Sequence, residues 1–372
     1  MRIGIDARFW NESGVGRYVR NLVFLLHAID KRNSYVLFVA PSDAKEIKKT
    51  VGNQQWSVVA TPIRWHSFKE QVLFPKTIAT HKIDIMHFPY FSVPVFYFKP
   101  FVVTIHDLIL HHYSTGKAST LPFFLYWIKY YFYRLIINIA AKRAKKVITV
   151  SQATADEIIS HLGIPKSKIE ITHEGIDEKI IGSKQQKASD KEPYFLYVGN
   201  QYPHKNLHRF IKAYEVFVQE HQNAPKLYIV GKKDFFYYRT LKQLNSNLLK
   251  EKVQFLGEVS DQHLSEYYAN ATALVAPSQM EGFDLPTVEA MANNCLVLAS
   301  DIPAHREICG DAAIYFDPVD KFDIVDKLKR VYSSVPLEFA SRKEKGLKRA
   351  GTFSWRVLAE KTLAVYESSI SI

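Results

Sequence analysis

Short apolar runs rich in Val, Ile, Phe and Tyr alternate with stretches whose apolar positions fall at helical spacing, along almost the whole chain. Runs of the first kind predict strands at 2–6, 35–40, 57–61, 83–88, 101–105, 147–150 and 169–172 in the first half. The second half repeats the style at 194–198, 227–230, 253–256, 274–276, 296–299 and 314–316. Between the first two strands, Val19, Leu22, Val23 and Leu26 fall on one face of a helix, and a helical pattern follows each strand of the second half. Alternation of this kind marks parallel sheets covered by helices. The expectation is an α/β chain of two doubly wound, Rossmann-like domains. Between them the polar, aperiodic run that includes Gly182-Ser183-Lys184-Gln185-Gln186-Lys187 suits a linker. The domains are therefore set at 1–180 and 194–354, with the linker at 181–193. Two such domains facing one another would leave a cleft lined by the carboxyl ends of both sheets, where open α/β sheets bind ligands.

A length of 372 residues suits two or three domains, and an apolar fraction of 47% is that of a globular chain. Cys295 and Cys309 are the only cysteines, so there is no disulfide framework and no zinc-type spacing, and a reducing compartment is expected. Met1-Arg2-Ile3-Gly4-Ile5-Asp6 passes directly into a strand without the pattern of a signal peptide, which points to the cytoplasm. The net charge of +12 favours anionic partners without choosing among phosphates, acidic lipids and nucleic acid. The most apolar stretch, within 121–146, carries Lys129 and Arg134 at what would be membrane depth and is not a membrane span. It reads either as a long core helix or as a helix lying peripherally on an anionic membrane at its inner face, aromatic on one side and basic nearby.

Candidate chemistry sits where strands give way to helices. Gly14-Val15-Gly16 opens the first helix and can bring backbone close to a phosphate, or can simply form a tight turn. Val19 stands where a dinucleotide fingerprint needs its third glycine, which disfavours a nicotinamide or flavin enzyme. At the equivalent place in the second half, Gly199-Asn200-Gln201-Tyr202-Pro203-His204-Lys205 places Lys205 just ahead of a helix, suited to a diphosphate. His106 and Asp107 end a buried strand, where an imidazole could meet a sugar hydroxyl or could be satisfied by backbone. His111 and His112 are too close in sequence to form a helical metal pair, and no metal site or other cofactor is expected. Glu281 and Glu289 flank a probable strand-to-helix junction. A glycosidase also uses two carboxylates, but it has no diphosphate for glycine and lysine devices to hold. Two carboxylates can instead accept from the vicinal hydroxyls of a ribose and a hexose.

With these residues in view, Glu281-Gly282-Phe283-Asp284-Leu285-Pro286-Thr287-Val288-Glu289-Ala290-Met291-Ala292 resembles the E-G-F-G-L-P-x-x-E-A-M-A signature of family 4 retaining glycosyltransferases, which have the GT-B fold. The resemblance extends along essentially the full length and is nearest to bacterial polysaccharide and lipopolysaccharide mannosyltransferases. Phe353-Ser354-Trp355 is similar to the start of the family's closing helix, here 355–372, which crosses back to the first domain. The resemblance implies that Glu289 accepts the ribose hydroxyls and Glu281 those of the transferred sugar. The backbone at Phe283, Asp284 and Leu285 would lie along sugar and phosphate. Lys205 would bind the diphosphate with Gly14, Gly16 and Asn200, the base would sit near Gly257 to Val259, and His106 would stand near the sugar. It further implies a nucleotide-sugar donor, a glycan or lipid-linked acceptor, no metal and no nucleic acid. GDP-mannose is the expected donor. A sugar-nucleotide epimerase of the same fold and a non-catalytic basic scaffold are the competing readings. Asp284 departs from the signature's glycine, either as a third carboxylate at the sugar or as a cap for the following helix. Asn200 stands where many members carry arginine.

Overall fold

The computed structural model describes residues 1–113, 122–182, 192–221, 223–334 and 336–370. It contains two compact units. Residues 1–175 and 354–372 form the first, and 176–353 the second. Of the expected linker 181–193, residues 183–191 lie outside the described residues.

The first unit holds a sheet of β1 (Arg2–Asp6), β2 (Ser34–Val39), β3 (Trp56–Ala60), β4 (Ile85–Phe88), β5 (Phe101–Ile105), β6 (Val147–Thr149) and β7 (Ile169–Ile171), in the order β3-β2-β1-β4-β5-β6-β7. The second holds β8 (Tyr194–Val198), β9 (Lys226–Val230), β10 (Val253–Gly257), β11 (Ala273–Ala276), β12 (Val297–Ser300) and β13 (Ala313–Phe316), ordered β10-β9-β8-β11-β12-β13. Each pairing is parallel, for example Gly4 with Val36 and Leu274 with Leu196. All thirteen expected strands therefore form. Central strands such as β5 and β12 are buried at every position, which is why they read as unbroken apolar runs. Strand order reverses between β1 and β4 in the first sheet and between β8 and β11 in the second. These are the switch points at which flanking loops diverge and leave a crevice.

Helices cover the sheets through stripes set by their sequence. Gly14–Ile29 buries Tyr18, Val19, Leu22, Val23 and Leu26, the spacing that predicted it. The closing helix, Trp355–Ile370, belongs to the first unit and packs along Gly14–Ile29. Its entry depends on Gly175, where an added Cβ would lie 2.0 Å from the Trp355 nitrogen. It is further tied in by Tyr366, whose hydroxyl lies 2.6 Å from His87 Nδ1, while His87 Nε2 lies 2.8 Å from Thr104 Oγ1. Burial, aided by His106, depresses the His87 pKa to about 3, so this imidazole is neutral.

The helix Phe123–Arg143 is neither fully core nor free. Tyr126, Tyr133, Ile137, Ala140 and Ala141 are buried, whereas Phe124, Leu125, Tyr131, Phe132 and Leu135 are exposed. Among the described residues no helix is long and apolar enough to cross a membrane.

Candidate functional site

In the second unit the chemistry gathers at the β8/β11 switch point. Gly199 ends β8 with φ 142°, a conformation open to glycine. The short turn Pro203–Lys205 then delivers Lys205 ahead of the helix Leu207–Glu220. Asn206 fixes this loop to its neighbours: its amide donates to Pro277 O at 3.0 Å and Pro318 O at 2.8 Å, and Gln279 N donates to His204 O at 2.8 Å. After β11, the segment 277–284 brings Glu281 and Asp284 to the same point.

Lys205 Nζ lies 2.6 Å from Glu281 Oε1 and 3.7 Å from Asp284 Oδ1, with the three side chains 15%, 7% and 5% exposed. Burial opposes the lysine's charge, but the two carboxylates outweigh it and hold the ammonium well above its ordinary pKa. Burial lifts Glu281 above the usual range, with Lys205 opposing and Asp284 reinforcing the lift. Asp284 is held below its usual value because His305 and Lys205 together overcome its burial. Asp284 is thus the firmer anion and Glu281 the readier proton acceptor.

Asp284 is not a helix cap. It occupies the residue before the helix Leu285–Ala292 at φ 74°, makes no side-chain capping bond, and turns its carboxylate toward Lys205 and toward His305 Nε2 at 3.3 Å. The left-handed backbone explains why glycine suits this position, and why an aspartate here is held by its contacts. Glu289 lies within that helix, 2% exposed, and its Oε2 accepts a 2.8 Å hydrogen bond from Tyr268. The Phe283 ring packs inward, edge-on to Phe353 at 5.4 Å, so only its backbone is available to a ligand. Asn200 Oδ1 accepts weakly from Tyr202 N at 3.4 Å. Gly257 ends β10 at φ 76°, with half-buried Val259 just beyond.

Both amide atoms of Gln201 and Asn206 Oδ1 are buried in these loops without a hydrogen-bond partner, whereas Asp284 Oδ2 and His305 Nε2 face one another at 3.3 Å. Buried polar groups are normally satisfied, so their concentration here marks a place built for polar ligand groups. A cavity of about 300 Å³, lined by Tyr194, Tyr228 and Tyr267, lies at the start of β8 and not at its carboxyl end.

The first unit presents its own switch point. Gly14 and Gly16 open the first helix as expected but for different reasons. A Cβ on Gly16 would meet Phe9 O at 2.6 Å and Trp10 O at 2.7 Å, whereas one on Gly14 would meet nothing within 4 Å. Gly16 is therefore required by packing, and Gly14 leaves open space. His106 follows β5 with Nε2 2.9 Å from Pro89 O, which makes Nε2 the donor, and with Nδ1 3.5 Å from Glu174 Oε1. Backbone thus satisfies half of this imidazole, and the other half faces a carboxylate.

Sequence reasoning missed a buried ionic cluster at the carboxyl end of β1. Arg8 binds Asp6 through Nε at 2.8 Å and NH2 at 2.7 Å, and Glu70 through NH2 at 2.5 Å. Glu70 also accepts from His66 N at 2.8 Å and Ser92 Oγ at 3.2 Å. The local clue is Ser67-Phe68-Lys69-Glu70, a capping-box pattern, and Ser67 does cap the helix Phe68–Ala79. Nothing in the pattern says that Glu70 meets Arg8. His305 was missed for the same reason, since its partner Asp284 lies on another element.

Residues 13–179 match the model for Glycosyltransferase Family 4, and residues 179–346 that for Glycosyl transferases group 1. The chain is 34% identical to the O-antigen chain mannosyltransferase RfbU of Salmonella typhimurium, over 62% of this chain and 60% of that protein. It is 25% identical to the O-antigen chain mannosyltransferase B of Escherichia coli, over 95% and 96% of the two chains. Among solved structures, sucrose-phosphate synthase from Thermosynechococcus elongatus superposes with a TM-score of 0.78 at 17% identity, covering 99% of this chain and 98% of that one.

Proposed function

Because the chain belongs to the glycosyltransferase family, with a Family 4 first unit and a group 1 second unit, we propose that it moves mannose from GDP-mannose to a glycan or lipid-linked acceptor. The reaction retains the anomeric configuration and uses no metal, and the product enters cell-surface polysaccharide. The observation that carries this reading is the Lys205 ammonium held between Glu281 and Asp284 at a switch point, beside buried polar atoms without partners. Similarity to two O-antigen mannosyltransferases supports the choice of sugar.

In this reading Lys205 exchanges its carboxylates for the donor's diphosphate and stabilises the charge that grows there as the sugar departs. Glu281, released from the ammonium, accepts from hexose hydroxyls. Glu289, oriented by Tyr268, accepts from the ribose. Backbone at 283–285 approaches sugar and phosphate, and the base lies by Gly257 and Val259. Retention follows if the departing diphosphate takes the acceptor's proton on the face it leaves, a step that asks the protein for positioning and electrostatics.

The acceptor side fits a membrane surface. Phe124, Tyr131 and Leu135 are exposed on one helix, and Phe68, 80% exposed, lies against Phe132 with ring centroids 5.9 Å apart. Exposed Lys129, Arg134, Lys142 and Lys145 lie along the same stretch, an arrangement that binds anionic interfaces.

The test is product analysis with GDP-mannose and a mannose-terminated acceptor. A new α-mannosyl linkage is expected. Isomerised sugar nucleotide without acceptor use would indicate the epimerase chemistry instead, and no turnover with salt-sensitive nucleic-acid binding would indicate a scaffold.

A further inference from the structure

The first unit carries a second cluster that the proposed transfer does not use. Glu157 and His161 stand one turn apart on the helix Gln152–Leu162, so both side chains lie on one face. His112 comes to them from the short helix Ile109–His112 that follows β5. Glu157 Oε2 lies 2.5 Å from His112 Nε2 and 3.2 Å from His161 Nε2, and one ligand atom from each residue falls within 4.8 Å of the other two. Around a tetrahedral zinc with bonds of about 2.0–2.1 Å, neighbouring ligand atoms stand roughly 3.3 Å apart. The observed spacing needs only small side-chain adjustment to reach it. His111 and His112 meet different partners, His111 bonding Tyr133 and His112 bonding Glu157. The partner of His112 comes from a helix some forty-five residues on.

A second observation points the same way. His111 Nδ1 lies 2.7 Å from the Tyr133 hydroxyl, its Nε2 is buried with no hydrogen-bond partner, and its ring lies 5.9 Å from that of His161. A further imidazole nitrogen is thus held beside a three-donor set that leaves coordination positions open.

We propose that His112, Glu157 and His161 bind a divalent transition metal of the zinc class. The donor set is imidazole and carboxylate, which suits Zn²⁺, Co²⁺ or Ni²⁺. Mg²⁺ and Ca²⁺ demand oxygen shells that these residues do not supply. The site's role is structural. The helix that carries Glu157 and His161 already holds the other end of the post-β5 segment, since Thr154 Oγ1 donates to His106 O at 3.3 Å. A metal at His112 would clamp 106–112 at both ends and so fix the approach to His106.

The experiment uses the full chain without an affinity tag, stripped by chelator and titrated with Co²⁺. One equivalent is expected to develop visible ligand-field absorption that Zn²⁺ displaces. Zn²⁺ should also raise the melting temperature, and Mg²⁺ should not. His161→Ala and Glu157→Gln, both at accessible positions, should each weaken Co²⁺ binding by about tenfold or more. No saturable binding of Co²⁺ or Zn²⁺, or binding that both variants leave intact, would overturn the proposal.

Discussion

Asp284→Gly separates what this aspartate costs from what it does. Its left-handed backbone costs an L residue about 1–2 kcal/mol that glycine does not pay. Glycine returns part of that gain, roughly 0.5–1 kcal/mol, through the greater freedom of the unfolded chain. At 3.7 Å from Lys205 the carboxylate gains about 4.5 kcal/mol at an effective dielectric near 20, with His305 at 3.3 Å adding to it, and burying it costs several kcal/mol. These terms nearly cancel, so the stability change should stay within about 1 kcal/mol. The effect on a diphosphate does not cancel. Lys205, Glu281 and Asp284 carry +1 and −2, a net −1, which the substitution brings to zero. Removing one like charge at roughly 6 Å, with an effective dielectric of about 20–40, is worth about 1.4–2.8 kcal/mol. GDP should therefore bind at least ~10-fold more tightly to the variant, while GDP-mannose gains less because its sugar loses a partner. Calorimetric titration of both ligands, with urea unfolding as the control on stability, reads the two effects separately. Unchanged or weaker GDP binding at unchanged stability would refute the placement of Asp284 beside the diphosphate.

Arg8→Met should cost about 3–5 kcal/mol in urea unfolding, because Asp6 and Glu70 are left buried without their cation. Burial raises the Glu70 pKa against the pull of Arg8, so the folded state holds that proton more tightly than the unfolded state. Glu70's contribution therefore improves as pH falls through the folded pKa, and the variant's deficit should shrink on going from pH 8 to pH 5. Gly16→Ala should lower the melting temperature, since its Cβ meets two backbone carbonyls, whereas Gly14→Ala should not. A loss of transfer in Gly14→Ala without a loss of stability would report a functional role for the open space at this helix start. Flotation with anionic vesicles at low salt should recover the protein, and Phe124→Ser with Tyr131→Ser should reduce that recovery.

How much of this was legible in the sequence depended on range. The central strands announced themselves because a fully buried strand is a local apolar run, and the helix stripe of Val19, Leu22, Val23 and Leu26 is equally local. Lys205, Glu281 and Asp284 could be named because loops after strands are where open sheets bind. Their union around one ammonium could not, since it follows from β8 and β11 being neighbours despite two intervening strands. The same non-locality hid Glu70 from Arg8, His305 from Asp284 and Glu157 from His112. Two ambiguities needed coordinates. Asp284 could have been a cap until its φ and contacts were seen, and whether backbone satisfies His106 was open until Pro89 O was found on one nitrogen.

The central claim is that the second unit's switch-point loops bind a sugar nucleotide through Lys205. Titrating GDP-mannose into the protein and into Lys205→Ala tests it most directly. The account predicts saturable binding to the former and a loss of about tenfold to hundredfold or more in the latter, since an ion pair to a diphosphate is removed at a site little exposed to water. Equal affinity of the two proteins for GDP-mannose would contradict it.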